Sequence, residues 1–141
     1  MKKLKRLTLL ALVVALTACG GGYSSPTMSP TPSVAGTWDA AVTVTGGTES
    51  PVGTRFSAVL ALAQSGSNVS GTFTTTTGSD GTVTGTVSGQ VFTFTGTQTA
   101  PCAGSFSGTG TLGVYNTSMS GAYSGSDCGG TFQTTFTATK R

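Results

Sequence analysis

TVTGTVSGQVFTFTGT, residues 82–97, keeps one rule along its length. Val83, Gly85 and Val87 alternate with Thr82, Thr84, Thr86 and Ser88. After Gly89-Gln90, Phe92, Phe94 and Gly96 alternate with Thr93, Thr95 and Thr97. A period of two sends successive side chains to opposite faces of an extended chain, so the stretch reads as two strands, one face apolar and the other hydroxyl-bearing. Gly89-Gln90 is short and polar enough to be the tight turn between them.

The same rule extends outward in both directions. Upstream, Val69–Thr77 is a third strand, closed by a Gly78-Ser79-Asp80-Gly81 turn. Thr54–Gln64 is a second, with Phe56, Ala58, Leu60 and Leu62 on one face, and Gln64–Asn68 turns the chain. Gly36–Thr45 is the first, with Trp38, Ala40, Val42 and Val44 on one face, and residues 46–53 form a loop. Downstream, Gly104–Leu112, Ser118–Ser124 and Thr131–Thr139 complete the set, with Phe132 and Phe136 inward in the last. No window carries a helical period, and Thr and Val suit a pleated surface. Short links between consecutive strands favour an antiparallel meander. The expectation is an all-β fold, a single eight-stranded up-and-down meander that closes into a small barrel in preference to a two-sheet sandwich, because closure removes both sheet edges.

A loose repeat runs through it: Ser70-Gly71-Thr72-Phe73, Thr84-Gly85-Thr86-Val87, Ser120-Gly121-Ala122-Tyr123. In each, the glycine shares the parity of the apolar residue two along. Inward glycines permit sharp coiling and leave room for Trp38, Phe56, Leu60, Phe73, Phe92, Phe94, Phe106, Tyr123, Phe132 and Phe136 in a narrow interior. Those large side chains are the expected core, or the lining of an apolar pocket for a small lipophilic ligand. A filled interior is the preferred expectation.

The first 18 residues are of another kind. Lys2, Lys3, Lys5 and Arg6 precede an apolar run from Leu7 to Ala18. That is the plan of a secretory signal, and the run is short of the roughly 20 residues a membrane-spanning helix needs. Leu16-Thr17-Ala18-Cys19 closes it and resembles the lipobox of bacterial lipoproteins. The resemblance implies cleavage before Cys19 and acyl chains on its thiol and new amine, hence a stable membrane anchor. Gly20 rather than aspartate follows Cys19, which in Gram-negative lipoproteins implies the outer membrane rather than the inner. Residues 19–33, rich in Gly, Ser, Thr and Pro, read as lipidated cysteine and tether. Residues 34–141 are then the all-β domain.

Removing the leader reverses the charge. The whole chain carries +3, but the basic residues left are Arg55, Lys140 and Arg141, against Asp39, Glu49, Asp80 and Asp127, a net of −1. No nucleic-acid surface is expected. With Cys19 lipidated, Cys102 and Cys128 remain as an even pair on an oxidising export route, and a structural disulfide is expected. Cys128 lies in a presumed six-residue loop that folds back over the seventh strand.

Catalysis is not expected. The chain has no histidine, so a hydroxyl nucleophile lacks its commonest base. Asp80 and Asp127 fit turns, Asp39 falls on the outward parity of its strand, and Glu49 lies in a loop. No metal site and no cofactor is indicated.

Gly36-Thr37-Trp38, opening an eight-stranded meander, is similar to the Gly-x-Trp that opens lipocalins and related calycin-type barrels. The resemblance implies a tryptophan plugging one end of the barrel under a basic side chain, with Lys140, Arg141 and Arg55 as candidates. The later lipocalin motifs are absent, and a single tryptophan does not match the avidin pocket, so biotin is not implied. The functional expectation is a lipid-anchored envelope protein with a structural or interaction role. The alternative is a calycin-like carrier of a small hydrophobic molecule. A third reading, an inhibitor of an exported enzyme, would use Tyr115 in the loop Gly113–Thr117.

Overall fold

The computed structural model describes residues 30–141. The leader 1–18, Cys19 and the tether as far as residue 29 lie outside them. Eight strands follow in order: β1 (Gly36–Gly47), β2 (Arg55–Ser65), β3 (Asn68–Thr75), β4 (Asp80–Ser88), β5 (Val91–Ala100), β6 (Gly104–Leu112), β7 (Ser118–Asp127) and β8 (Gly130–Lys140). Each pairs antiparallel with the next, and β8 returns to β1 with Trp38 opposite Lys140 and Val42 opposite Phe136. The sheet therefore closes into an up-and-down barrel with no free edge, the alternative preferred to a sandwich and the one the calycin resemblance implied.

The period of two sorts the side chains. On β5, Phe92, Phe94, Gly96 and Gln98 are buried while Thr93, Thr95, Thr97 and Thr99 are exposed. The outer face carries hydroxyls strand after strand, with Thr84 and Thr95 within hydrogen-bonding distance at 3.3 Å. Apolar inside and hydroxyl outside is the reverse of a membrane-spanning barrel, whose apolar band faces lipid.

Register explains the glycines. Around one interior layer the paired residues run Gly71, Val83, Gly96, Phe106, Gly125, Phe132 and then Gly47. A second layer runs Gly85, Phe94, Gly108, Tyr123. Small and large alternate across neighbouring strands, so each ring lies over a backbone that has no side chain. At Gly96 an added Cβ would fall on the Phe106 ring, and at Gly121 on the Thr109 carbonyl oxygen.

The same pairing corrects several boundaries. Gly81, expected in a turn, lies within β4 opposite Phe73, and the turn is confined to residues 76–79. Thr76 and Thr77 leave the third strand. Gly125, expected in a loop, lies within β7 between Phe106 and Phe132. β7 therefore runs to Asp127, and only Cys128 and Gly129 connect it to β8. Glycine read as punctuation is interior packing at both places.

The start of β1, the turns after β2, β4 and β6, and the chain's end share one end of the barrel. That end is sealed. Trp38 and Val34 are fully buried, and the Trp38 Nε1–H donates to the Val34 carbonyl at 2.8 Å. The Val34 N–H donates to Gln64 Oε1 at 2.7 Å, and Gln64 Nε2 donates to the Pro32 carbonyl at 3.0 Å. The barrel thus grips the chain from Pro32 onward, slightly before the expected end of the tether. Lys140 Nζ lies 5.7 Å from the Trp38 ring centroid and takes the place expected of a basic cover. Arg141 pairs instead with Asp39 on the outer face at 2.7 Å, and Arg55 begins β2 at the opposite end.

Gly96→Ala is expected to lose about 1–3 kcal/mol of stability by overpacking against Phe106. Chemical denaturation checks this, with Thr97→Ala on the outer face as a control expected to change less.

Candidate functional site

Eight of the predicted large side chains surround one space. Leu60, Phe73, Phe92, Phe94, Phe106, Tyr123, Phe132 and Phe136 line a cavity of about 90 Å³. Phe94 lies at the centre of the ring cluster, with centroids at 5.2 Å to Phe92, 6.0 Å to Phe136 and 6.4 Å to both Phe106 and Tyr123. Phe106 meets Phe73 edge-on at 5.3 Å. Such offset and edge contacts hold the rings apart at fixed angles. Trp38 seals the far end and does not line the cavity, and half-buried Phe56 packs against the core without lining it.

The rest of the lining is aliphatic or polar. Ala40, Val42, Ala58, Val83 and Met119 complete the apolar wall, and Thr75, Ser79 and Gln98 stand toward the mouth. Ala40, Val42, Ala58 and Val83 lie on the inward parity of their strands, while attention to large apolar residues misses Met119 and the three polar ones. Parity alone finds Gln98, which follows Phe92, Phe94 and Gly96 on the inward face.

The mouth is built from the loops after β1, β3, β5 and β7. Gln98 is buried, and its Nε2 donates to Asp127 Oδ2 at 2.8 Å and to the Cys102 carbonyl at 3.3 Å. Asp127 Oδ1 accepts the Gly129 N–H at 2.7 Å, so its carboxylate both shapes the β7–β8 turn and holds Gln98. The Cys102–Cys128 disulfide bridges the same place, with Cα atoms 6.0 Å apart. No fold-back over β7 is needed. β6 and β7 are paired neighbours, so the residue preceding one and the residue following the other already adjoin.

Electrostatics at the mouth are acidic. Burial, and next the charge of Asp127, raise the Glu49 carboxyl above its ordinary range. Burial is also the main cause of a raised Tyr123 phenol, which therefore stays neutral. The fold brings together Glu49 and Asp127, which are distant in sequence. Asp80 begins β4 and accepts the Thr99 hydroxyl at 2.6 Å on the outer surface. Asp39, exposed, is lowered by its hydrogen bond to Arg141. Among the described residues no three of His, Cys, Asp and Glu gather to hold a metal ion.

Replacing Cys102 and Cys128 with serine is expected to cost about 3.5 kcal/mol by chain-entropy reasoning for the 26-residue separation. Urea titration of the variant, and of the parent under reductant, checks this. Glu49 gives a pH signature. Its raised carboxyl means the folded state holds that proton more tightly than the unfolded chain, so stability falls as pH rises from 4.5, its ordinary value, through the raised one. Glu49→Gln is expected to melt higher than the parent at neutral pH, with the gap closing below that window. Parallel melting curves across pH would contradict it.

No family model matches the chain, and no curated protein or solved structure matches it.

Proposed function

We propose that the chain is an exported protein held at the cell envelope by lipid on Cys19, at the outer membrane rather than the inner. We infer further that its barrel is a non-catalytic binding module, which takes the narrow apolar part of a small molecule through the mouth. The observation that carries the binding reading is the asymmetry of the interior. Trp38 and Val34 close one end without lining the cavity of about 90 Å³ among the rings, and the polar lining residues Thr75, Ser79 and Gln98 stand at the other end.

Volume and charge narrow the ligand. A cavity of roughly 150 Å³ accepts a benzene ring. This smaller one suits an alkyl or isoprenoid end whose remainder stays in the mouth. Glu49 and Asp127 at the rim favour a neutral or cationic head over a carboxylate. The non-catalytic reading is supported by the chemistry of the residues present. The chain has no histidine, and Lys140 is committed to Trp38 at the far end.

A second reading, a purely structural or interaction role, draws support from the inward glycines, which let the rings fill most of the interior. Native mass spectrometry of the full chain, extracted gently from the membranes of an exporting host, separates the two. The binding reading expects a small-molecule increment that denaturation removes and that Ala58→Leu, which fills the cavity, abolishes without loss of fold. An empty parent would leave the structural role. The anchor has its own test: Cys19→Ser is expected to move the protein from the membrane to the soluble fraction, and unchanged fractionation would defeat the lipid reading.

A further inference from the structure

The hairpin between β6 and β7 is out of keeping with the rest of the surface. The Asn116 N–H donates to the Gly113 carbonyl at 2.9 Å and the Gly113 N–H to the Ser118 carbonyl at 2.9 Å, with Asn116 at φ 56°. That is a four-residue turn completed by a left-handed asparagine. Its two central positions, the most projecting, carry Val114 and Tyr115, which are 81% and 85% exposed. Turn geometry does not ask for apolar residues there. The neighbouring turns at the same end present Gly66-Ser67 and Gly89-Gln90 instead. Val91, also exposed, begins β5 beside this hairpin, opposite Thr111 on β6. Of the four exposed large apolar side chains among the described residues, these three share the sealed end, and only Val52 lies at the mouth.

The sealed end is also where the chain enters. Gln64 holds Pro32 and Val34 there. Cys19 lies 13 residues before Pro32, which caps its reach at about 45 Å. The charges are divided the same way. Lys140 ends β8 and Arg141 follows it at the sealed end with Asp39, while Glu49, Asp80 and Asp127 stand at the mouth with Arg55.

From this arrangement we propose that the sealed end of the barrel rests on a phospholipid surface, with Val114 and Tyr115 inserted at the level of the head groups and the mouth turned toward the aqueous side. The proposal rests on lipid anchoring at Cys19. Tyrosine is favoured at the membrane–water boundary, where its ring and hydroxyl meet different media. Basic side chains are drawn to anionic head groups and carboxylates are repelled from them, so the charge division turns the molecule the same way. The tip thus serves as a second, weak contact that, together with the anchor, fixes the orientation of the barrel.

The test uses the full lipidated chain in vesicles of phosphatidylethanolamine and phosphatidylglycerol, with lipids brominated near the head group as quenchers. An indole is introduced by Tyr115→Trp at the tip or, as control, by Val52→Trp at the mouth, and the emission of the parent's buried Trp38 is subtracted. The tip indole is expected to shift to the blue and lose most of its emission to the brominated lipid, and the mouth indole to do neither. An unquenched tip in protein that still floats with the vesicles overturns the proposal and leaves the anchor standing. Protein that does not float overturns the anchor reading and this proposal together. A tip indole that shifts with protein concentration but not with lipid assigns the tip to a second copy or another protein, and also overturns it.

Discussion

The architecture depends on rings lying over bare backbone. Phe106 occupies the space that a side chain at Gly96 would take. Phe94 lies between Gly85 and Gly108 in register, and Phe132 beside Gly125. An eight-stranded barrel has an interior just wide enough for side chains. Across β3 to β8, alternating Gly with Phe, Tyr or Val in the two layers described gives each ring room without leaving a void, while elsewhere medium and large residues such as Leu60 and Phe73 or Val42 and Phe136 stand side by side. The alternation also forces tight coiling, since an inward Cβ at Gly121 would strike the neighbouring carbonyl.

That packing does not treat the two ends alike. At the sealed end Trp38 satisfies its indole N–H on Val34 and lies under Lys140, so the bulk of the plug is fixed by a hydrogen bond and a cation over its ring. At the mouth polar groups take over. Gln98, Asp127 and the disulfide tie β5, β6 and β7 into one rigid wall. The long β1–β2 loop carrying Glu49 lies against the β7–β8 turn beside that wall, held by backbone bonds to Thr131.

Most of the fold was legible because a period of two is a property of the chain alone. Thr82–Thr97 shows it without interruption, and strand order follows from short connections. Closure could be argued from the absence of protected edges. Register could not be read, because it is set by which glycine faces which ring across strands. For that reason Gly81 and Gly125 looked like turn residues, and the loop holding Cys128 looked three times longer than it is. The large members of the site were legible by parity, and Lys140 by resemblance. Gln98 lies on the inward parity of β5 but is polar, so attention to apolar residues passes over it; the pairing of Glu49 with Asp127 depends on convergence of loops far apart in sequence, where no local pattern exists.

The closing seam between β1 and β8 has a kinetic consequence. Seven of the eight ladders join strands adjacent in sequence, and these hairpins form from local contacts. The last joins Asp39 to residues about a hundred positions away, as the Asp39–Arg141 separation of 102 shows. Bringing such distant segments together costs on the order of 4 kcal/mol by the logarithmic loop rule, apart from its constant. Until β8 arrives, β1 presents an open strand edge and Trp38 has no cover. The eleven residues of β8 are thus the checkpoint of folding. A chain that loses them keeps most of its hairpins but holds two unpaired edges, and its preferred partner then becomes another incomplete copy of itself.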